Sequence, residues 1–186
     1  MRRGLELTEG VVREINSHAV INGVILARAL LETACLLWNA SDKVIRFIEE
    51  DLPDKVSDLN DQIEKLLLGS RISRYTQQAD LHSPEAINIL TIIDKINKET
   101  PGFREVYDDL SDVAHPNISG VSLPYATIDM LGQQQTFHGS WENREGYLPQ
   151  AVYATVLSLQ GITLHVERIN QALPDLTQLC ERNLSN

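Results

Sequence analysis

AVINGVILARALLETACLLW, residues 19–38, is the segment that decides the fold of this chain. It is long enough to cross a bilayer, for which about 20 apolar residues suffice. However, it contains Asn22, Arg28 and Glu32, and an arginine at the bilayer centre costs about 2.5–3.5 kcal/mol. Residues 24–38 are apolar nearly all round, which is typical of a helix buried on several sides. We therefore expect the central helix of a bundle and no membrane span.

Apolar residues recur at helical spacing on both sides of this segment. They predict a first helix over residues 8–50, with Thr8 at its start and a bend near Asn22-Gly23. Prolines mark later boundaries, because Ser83-Pro84 is typical of a helix start and Pro174 is expected to break the last helix. The other predicted helices cover residues 54–68, 84–98 and 103–114, and a long last helix begins at Pro149.

The sequence changes character between the fourth helix and the last one. Residues 121–130 and 134–141 flank Gly132 and predict a short β-hairpin. The length of 186 residues, with 42% apolar and 23% charged residues, is that of one globular domain. We therefore predict an all-α fold, a single domain over residues 1–186. It is a helical bundle of about five helices with a small β-hairpin or loop insertion, residues 118–145, before the last long helix.

The charge balance and the cysteines restrict the classes of partner. The chain has 16 basic and 26 acidic residues, a net charge of −10, which disfavours RNA or a nucleotide because phosphates are bound by Lys and Arg. A local basic pocket stays open as an alternative. The two cysteines, Cys35 and Cys180, are not spaced like metal ligands, which fits a reducing compartment. No targeting signal is apparent in the sequence, so we expect a cytoplasmic protein. The histidines share no ligand spacing, and we expect no metal and no cofactor.

Two helices carry polar residues within otherwise apolar surroundings. In the predicted fourth helix, Arg104, Asp108, Ser111 and His115 are spaced four, three and four residues apart and share one stripe. In the central helix, Arg28 and Glu32 need partners, because an unpaired buried charge is very costly. They can pair with each other, or with Tyr107, Ser111 or His115 of the fourth helix. The cluster is either a structural joint between two helices or a ligand site.

RALLETACLLW, residues 28–38, and YDDLSDVAHPNISG, residues 107–120, together resemble the HEPN-like helical domains of bacteria and archaea. More narrowly, they are similar to an uncharacterised group with an Arg-x-x-x-Glu first helix and a Tyr-x-x-Leu-Ser-x-x-x-His-Pro signature. The resemblance covers residues 28–120. It implies a helical fold and a homodimer.

HEPN ribonucleases use an Arg and a following His with four to six residues between them, and here the pattern is incomplete. His115 matches the motif His, whereas positions 108–110 are Asp-Asp-Leu, so no motif Arg is present. The resemblance therefore implies a non-catalytic binding or regulatory module, of a bacterial stress, defence or toxin–antitoxin system. The alternatives are a metal-independent ribonuclease or nucleotide-binding enzyme that uses His115, and a homo-oligomerisation module. The candidate catalytic residues are His115 and Arg28, and the candidate ligand-binding residues are Glu32, Tyr107, Ser111, Asn117 and Arg104.

Overall fold

The computed structural model describes residues 2–50, 56–68, 87–138 and 142–184. Over these ranges the fold is helical apart from one hairpin, which lies before the last long helix, so the predicted all-α bundle with its insertion is confirmed. In chain order the elements are α1 (Arg2–Asn16), α2 (Val20–Glu50), α3 (Val56–Leu68), α4 (Ile89–Glu99), α5 (Phe103–Ala114), a π-helical turn (Ile118–Ser122), β1 (Ala126–Asp129), β2 (Gln134–Phe137), α6 (Glu142–Glu145) and α7 (Leu148–Leu184).

The first predicted helix is two helices, and its predicted start and bend were both wrong. Thr8 lies inside α1, where its hydroxyl donates a hydrogen bond of 2.8 Å to the carbonyl of Gly4. The chain breaks at residues 17–19, where His18 adopts a left-handed φ of 61°. The N–H of Ala19 donates to the carbonyl of Glu14 and that of His18 to Ile15. This pair of bonds is the Schellman arrangement, which satisfies the last carbonyls of α1.

α1 and α2 run antiparallel and approach closely at two glycines. A Cβ atom on Gly10 would lie 3.0 Å from Leu26 Cδ1, and one on Gly23 would lie 3.1 Å from Ile15 Cγ1. Neither glycine is in a left-handed conformation, so it is the short distance between the helices that favours the absence of a side chain here. The tight contact places the N-terminal half of α2 against α1, and most of its apolar residues are buried, although Ile25 is exposed.

By length and composition, α2 is the one helix in the described ranges that could cross a membrane. Half of its most apolar stretch is buried inside the protein. A buried core helix satisfies the same criteria, so this property alone is a weak indication of a membrane span.

Two other predicted boundaries are corrected by the structure. Ile87 and Asn88 are not helical, and α4 begins at Ile89 with the Asn88 side chain accepting the N–H of Leu90 at 3.1 Å. The predicted start at Ser83-Pro84 lies outside the described residues. α7 continues through Pro174, which was expected to end it. A proline inside a helix costs about 3 kcal/mol, and α7 is held on both sides of it by buried residues, Ala172 and Leu179.

The hairpin is shorter than predicted at both ends. β1 and β2 pair antiparallel over four residues each, from Ala126 opposite Phe137 to Asp129 opposite Gln134. Residues 118–122, at the predicted start of the first strand, form the π-helical turn instead. The Asn117 side chain stabilises this turn, because its oxygen accepts the N–H of Gly120 at 2.9 Å. The predicted end of the second strand, residues 139–141, lies outside the described residues.

The chain forms two compact units, and α2 and α7 each contribute to both. Unit 1 comprises Met1–Cys35 and Ile93–Gly161, and unit 2 comprises Leu36–Ile92 and Ile162–Asn186. The core of unit 1 contains Val11, Val24, Ala27, Leu30, Leu31, Tyr107, Leu110, Ala151 and Ala154, all buried.

Unit 2 has a partly polar core. Its buried residues include Val44 and Phe47 and also Ser41 and His165. Ser41 Oγ and His165 Nδ1 have no hydrogen-bond partner. Burial, followed by the positive charge of Arg168, lowers the pKa of His165, and the negative charge of Asp42 opposes this shift.

This lowered pKa predicts a loss of stability on acidification. Above pH 6.5, the ordinary pKa of histidine, His165 is neutral in the folded and the unfolded chain. Below it the unfolded chain takes up the proton first, so the free energy of unfolding falls until the pH passes the lower pKa of the folded state. Urea denaturation of the wild type and of His165→Leu from pH 7.5 to 5 measures this effect. We expect a steeper decline in the wild type, and parallel curves would contradict the assignment.

Candidate functional site

α2 and α5 bring three of the predicted site residues into mutual contact. Arg28 Nη2 donates a hydrogen bond of 3.0 Å to the Tyr107 hydroxyl, which in turn donates one of 3.1 Å to Glu32 Oε1. The Arg28 guanidinium and the Glu32 carboxylate form an ion pair of 3.2 Å between Nη2 and Oε1. We call this set of Arg28, Glu32 and Tyr107 the polar triangle. It combines two of the pairings that the sequence left open, that of Arg28 with Glu32 and that of both with Tyr107.

The geometry of the polar triangle follows from helix spacing. Arg28 and Glu32 are four residues apart on α2 and therefore lie on one face. Tyr107 reaches them from α5 with only 4% of its surface exposed. Its ring also lies beneath the Arg28 guanidinium, 5.3 Å from ring centroid to Cζ, which is a cation–π contact. The charged side chains themselves are 26% and 31% exposed, so water still screens the ion pair.

Two polar atoms at or near this triangle are buried without a hydrogen-bond partner: Arg28 Nε and Ser111 Oγ. Ser111 lies one turn after Tyr107 on α5. An unsatisfied buried polar group costs about 1–3 kcal/mol. The Nε–H is a donor, and the hydroxyl can both donate and accept, so each atom can bond a water molecule or a small polar ligand.

Cys35 follows Glu32 by one turn of α2 and is buried. Burial, together with the negative charge of Glu32, raises the pKa of the Cys35 thiol to about 12. Because the thiolate is the reactive form of cysteine, this environment keeps the side chain inert. The thiol therefore serves as an apolar packing group.

The His115 side chain takes no part in the contacts of the polar triangle. It is the C-cap residue of α5, its side chain is exposed, and its backbone N–H donates to the carbonyl of Ser111 at 3.0 Å. Among the described residues, no hydrogen bond or ion pair joins the His115 side chain to Arg28, Glu32 or Tyr107. These contacts join Arg28 to Tyr107 and leave the other predicted catalytic residue, His115, outside the polar triangle.

Arg104 is occupied by carboxylates on two helices. Its Nη1 lies 2.6 Å from Asp94 of α4, and its Nε lies 2.9 Å from Asp108 of α5. The hydrogen bonds to Asp108 and then to Asp94 raise the pKa of Arg104. These contacts connect α4 to α5, and they leave the guanidinium without excess positive charge for an anionic ligand.

Asn117 has a structural role that its sequence position did not reveal. Besides accepting the N–H of Gly120, it donates a hydrogen bond of 2.6 Å to Asp112. Gly120 lies directly against the carbonyls of Val113 and His115, where a Cβ atom would collide with the backbone. Asn117 therefore holds the π-helical turn over the C-terminal end of α5.

An apolar groove between α5 and α7 is a feature that sequence reasoning missed. It has a volume of about 260 Å³. Gln150 Oε1 is buried in this region without a hydrogen-bond partner. A usable sequence signal exists, because residues 146–166 contain no Asp, Glu, Lys or Arg. The residues that line the groove, called the α5–α7 groove below, are Val106, Asp109, Leu110, Pro149, Gln150 and Tyr153.

The described residues contain no group of three or more His, Cys, Asp or Glu side chains placed to hold a metal ion. No protein family, no curated protein and no solved structure matches this chain.

The polar triangle predicts a measurable cost for removing one oxygen atom. Tyr107→Phe deletes the hydroxyl that bonds both Arg28 and Glu32 and leaves two charged groups with one partner fewer. We expect the free energy of unfolding to fall by about 1–2 kcal/mol, discounted for the partial exposure of both charges. Tyr153→Phe, at an exposed tyrosine of α7, is the matched control and should change it by no more than about 0.5 kcal/mol. Equal urea denaturation curves for the two variants would contradict the assigned role.

The raised pKa of Cys35 predicts a difference between the two cysteines. Cys180 is partly exposed whereas Cys35 is buried. With a chromogenic disulfide reagent at neutral pH, we expect the native protein to react at Cys180 alone, and both thiols to react in urea. Mass spectrometry of the labelled peptides identifies the modified residue. Labelling of Cys35 in the native protein would overturn this reading of its environment.

Proposed function

We propose that this chain is a non-catalytic binding or regulatory module with a HEPN-like fold, acting in a bacterial stress, defence or toxin–antitoxin system. The family and the bacterial system are inferred from the resemblance of residues 28–38 and 107–120 to HEPN-like domains. The observation that carries the non-catalytic reading is the polar triangle, because the guanidinium of Arg28 is already bound by Glu32 and Tyr107.

A ribonuclease of this type needs a cation and a general acid or base at the same phosphate. In this chain, Glu32 neutralises Arg28 at 3.2 Å, and Asp94 and Asp108 neutralise Arg104. His115 is exposed. Within the described residues of α5 and its cap, no basic side chain forms a hydrogen bond or ion pair with it. With a net charge of −10, the surface as a whole repels an RNA backbone.

The experiment that tests the proposal is an RNA cleavage assay. The purified protein is incubated with end-labelled single-stranded RNA in the presence of EDTA, alongside His115→Ala and Arg28→Gln, with Arg104→Gln as the matched control for loss of a paired arginine. We expect no cleavage above the buffer blank for any of the four proteins. Circular dichroism melts establish that each variant is folded.

The rival proposal of a metal-independent ribonuclease makes the opposite prediction. Cleavage by the wild type that disappears in the folded His115→Ala variant would refute the non-catalytic reading. Cleavage that persists equally in His115→Ala comes from a contaminating nuclease and leaves the proposal intact. Binding of the labelled RNA or of a free nucleotide at physiological salt, measured by fluorescence anisotropy, would replace it with a nucleic-acid-binding function.

A further inference from the structure

The α5–α7 groove has an apolar lining that continues along α7 as exposed apolar surface. Val106, Leu110, Pro149 and Tyr153 form this lining, and we call them the apolar floor. Tyr153 is 57% exposed, and Val156, one turn further along α7, is 48% exposed. Exposed apolar surface with a polar rim is typical of a site where another molecule docks. The groove lies within unit 1 and is a candidate docking surface.

Three carboxylates form a stripe on α5 beside the apolar floor. Glu105, Asp109 and Asp112 are spaced four and three residues apart, so they share one side of the helix, and all three are exposed. Asp109 itself lines the groove. Burial raises the pKa of Tyr147, the residue before α7, and the negative charge of Asp112 raises it further, so Asp112 lies near the start of α7. We call these three residues the acidic rim.

The negative charge of the acidic rim is not neutralised by neighbouring side chains. Neither Glu105 nor Asp109 has an ion-pair partner in the part of the chain that the structure describes. Asp112 accepts a hydrogen bond of 2.6 Å from Asn117, whose amide is neutral. The α7 side of the groove adds no positive charge, because residues 146–166 contain no Lys or Arg. The groove therefore combines an apolar floor with uncompensated negative charge.

Docking over this groove removes water from the Asp109 carboxylate, which restricts the chemistry of the partner. A buried charge without a partner is very costly, so a purely apolar partner is disfavoured. An acidic partner adds repulsion between like charges. A Lys or Arg of the partner supplies the missing charge, and its aliphatic stem can lie along the apolar floor. The exposed ring of Tyr153 is a further surface that attracts a cation.

The dimensions of the groove and of the acidic rim fit a short helix. The volume of about 260 Å³ is below the roughly 300–1,000 Å³ of typical small-molecule pockets. It is above the roughly 150 Å³ of a cavity that holds benzene, so one or two large side chains fit. From Glu105 to Asp112 the rim extends over about 10 Å, or two helical turns. A partner helix with basic residues at i, i+4 and i+7 has the same spacing, and amphipathic helices commonly bind in grooves.

We propose that the α5–α7 groove binds a basic amphipathic helix of a partner protein. The helix places one or two large apolar side chains on the apolar floor and its Lys or Arg residues against the acidic rim. The net charge of −10 attracts such a segment over a distance, which raises the rate of encounter. This inference deepens the proposed function and rests on it in one respect, since it takes the chain to be a binding module.

Fluorescence anisotropy with synthetic peptides tests this inference on the full chain. The probe is a labelled peptide of about 14 residues, long enough to form a helix, with Leu at helical spacing on one face and Lys on the other. One comparison peptide has the same residues in scrambled order and lacks the apolar face, and a second has Glu in place of every Lys. At physiological salt we expect the probe to bind with a dissociation constant on the order of 10 µM, and both comparison peptides to bind about tenfold more weakly or not at all.

Substitutions in the protein locate the binding surface. The double variant Glu105→Gln with Asp109→Asn removes two charges of the acidic rim, and Tyr153→Ala shortens the apolar floor. Each should raise the dissociation constant of the probe about fivefold to tenfold. The matched control for the rim is Asp58→Asn with Asp61→Asn, which removes two exposed carboxylates of α3. This control has the same net charge as the rim variant, so it should bind the probe within about twofold of the wild type.

The apolar floor has its own control. Leu5→Ala truncates an exposed leucine of α1 and should leave the binding of the probe unchanged, unlike Tyr153→Ala. All the substituted side chains are exposed, so we expect every variant to fold, which circular dichroism melts verify.

Several results would overturn this inference. They are no binding of the probe, equal binding of the scrambled or the acidic peptide, and equal weakening by the rim variant and its α3 control, which would indicate attraction by net charge alone. Sedimentation velocity of the chain without peptide adds a further one, since self-association that Tyr153→Ala abolishes would identify a second copy as the occupant. None of these results bears on RNA cleavage, so failure here is distinguishable from failure of the non-catalytic function.

Discussion

The neutralisation of Arg28 is the interaction on which the structure of unit 1 depends. α2 is apolar on nearly all sides around this residue, and the partly buried guanidinium is stabilised by partners inside the fold. Glu32 supplies the opposite charge from the same helix, and Tyr107 supplies a hydroxyl and an aromatic face from α5. The polar triangle therefore joins the buried face of α5, which includes Tyr107, to α2.

This structural use of Arg28 has a consequence for function. Nη2 of the Arg28 guanidinium is bound by Glu32 and Tyr107, which reduces the positive charge that it can offer to a phosphate. Arg104 is in the same position, since it joins α4 to α5 through Asp94 and Asp108. The basic residues that a nuclease would use are thus part of the scaffold. His115 remains exposed beyond the end of α5, where the π-helical turn covers the last carbonyls of the helix.

The distribution of charge on the surface complements this arrangement. The acidic excess keeps most of the surface solvated and repels copies of the chain from one another. The uncharged start of α7 and the tip of the hairpin are exceptions, and both expose apolar side chains. Apolar contact is therefore available at these two places, and the net negative charge disfavours long-range attraction of an anionic partner.

The sequence by itself determined the class of the fold, the burial of the apolar stretch of α2, the span of α5 and the presence of a hairpin before the last helix, because periodicity and turn residues are local properties. Tertiary structure decided the rest. It left His115 outside the polar triangle, because Tyr107 is the residue of α5 that bonds Arg28 and Glu32. It carried α7 through Pro174, because burial on both sides outweighs a lost backbone hydrogen bond. It also formed the α5–α7 groove, since a groove exists only where two distant segments meet.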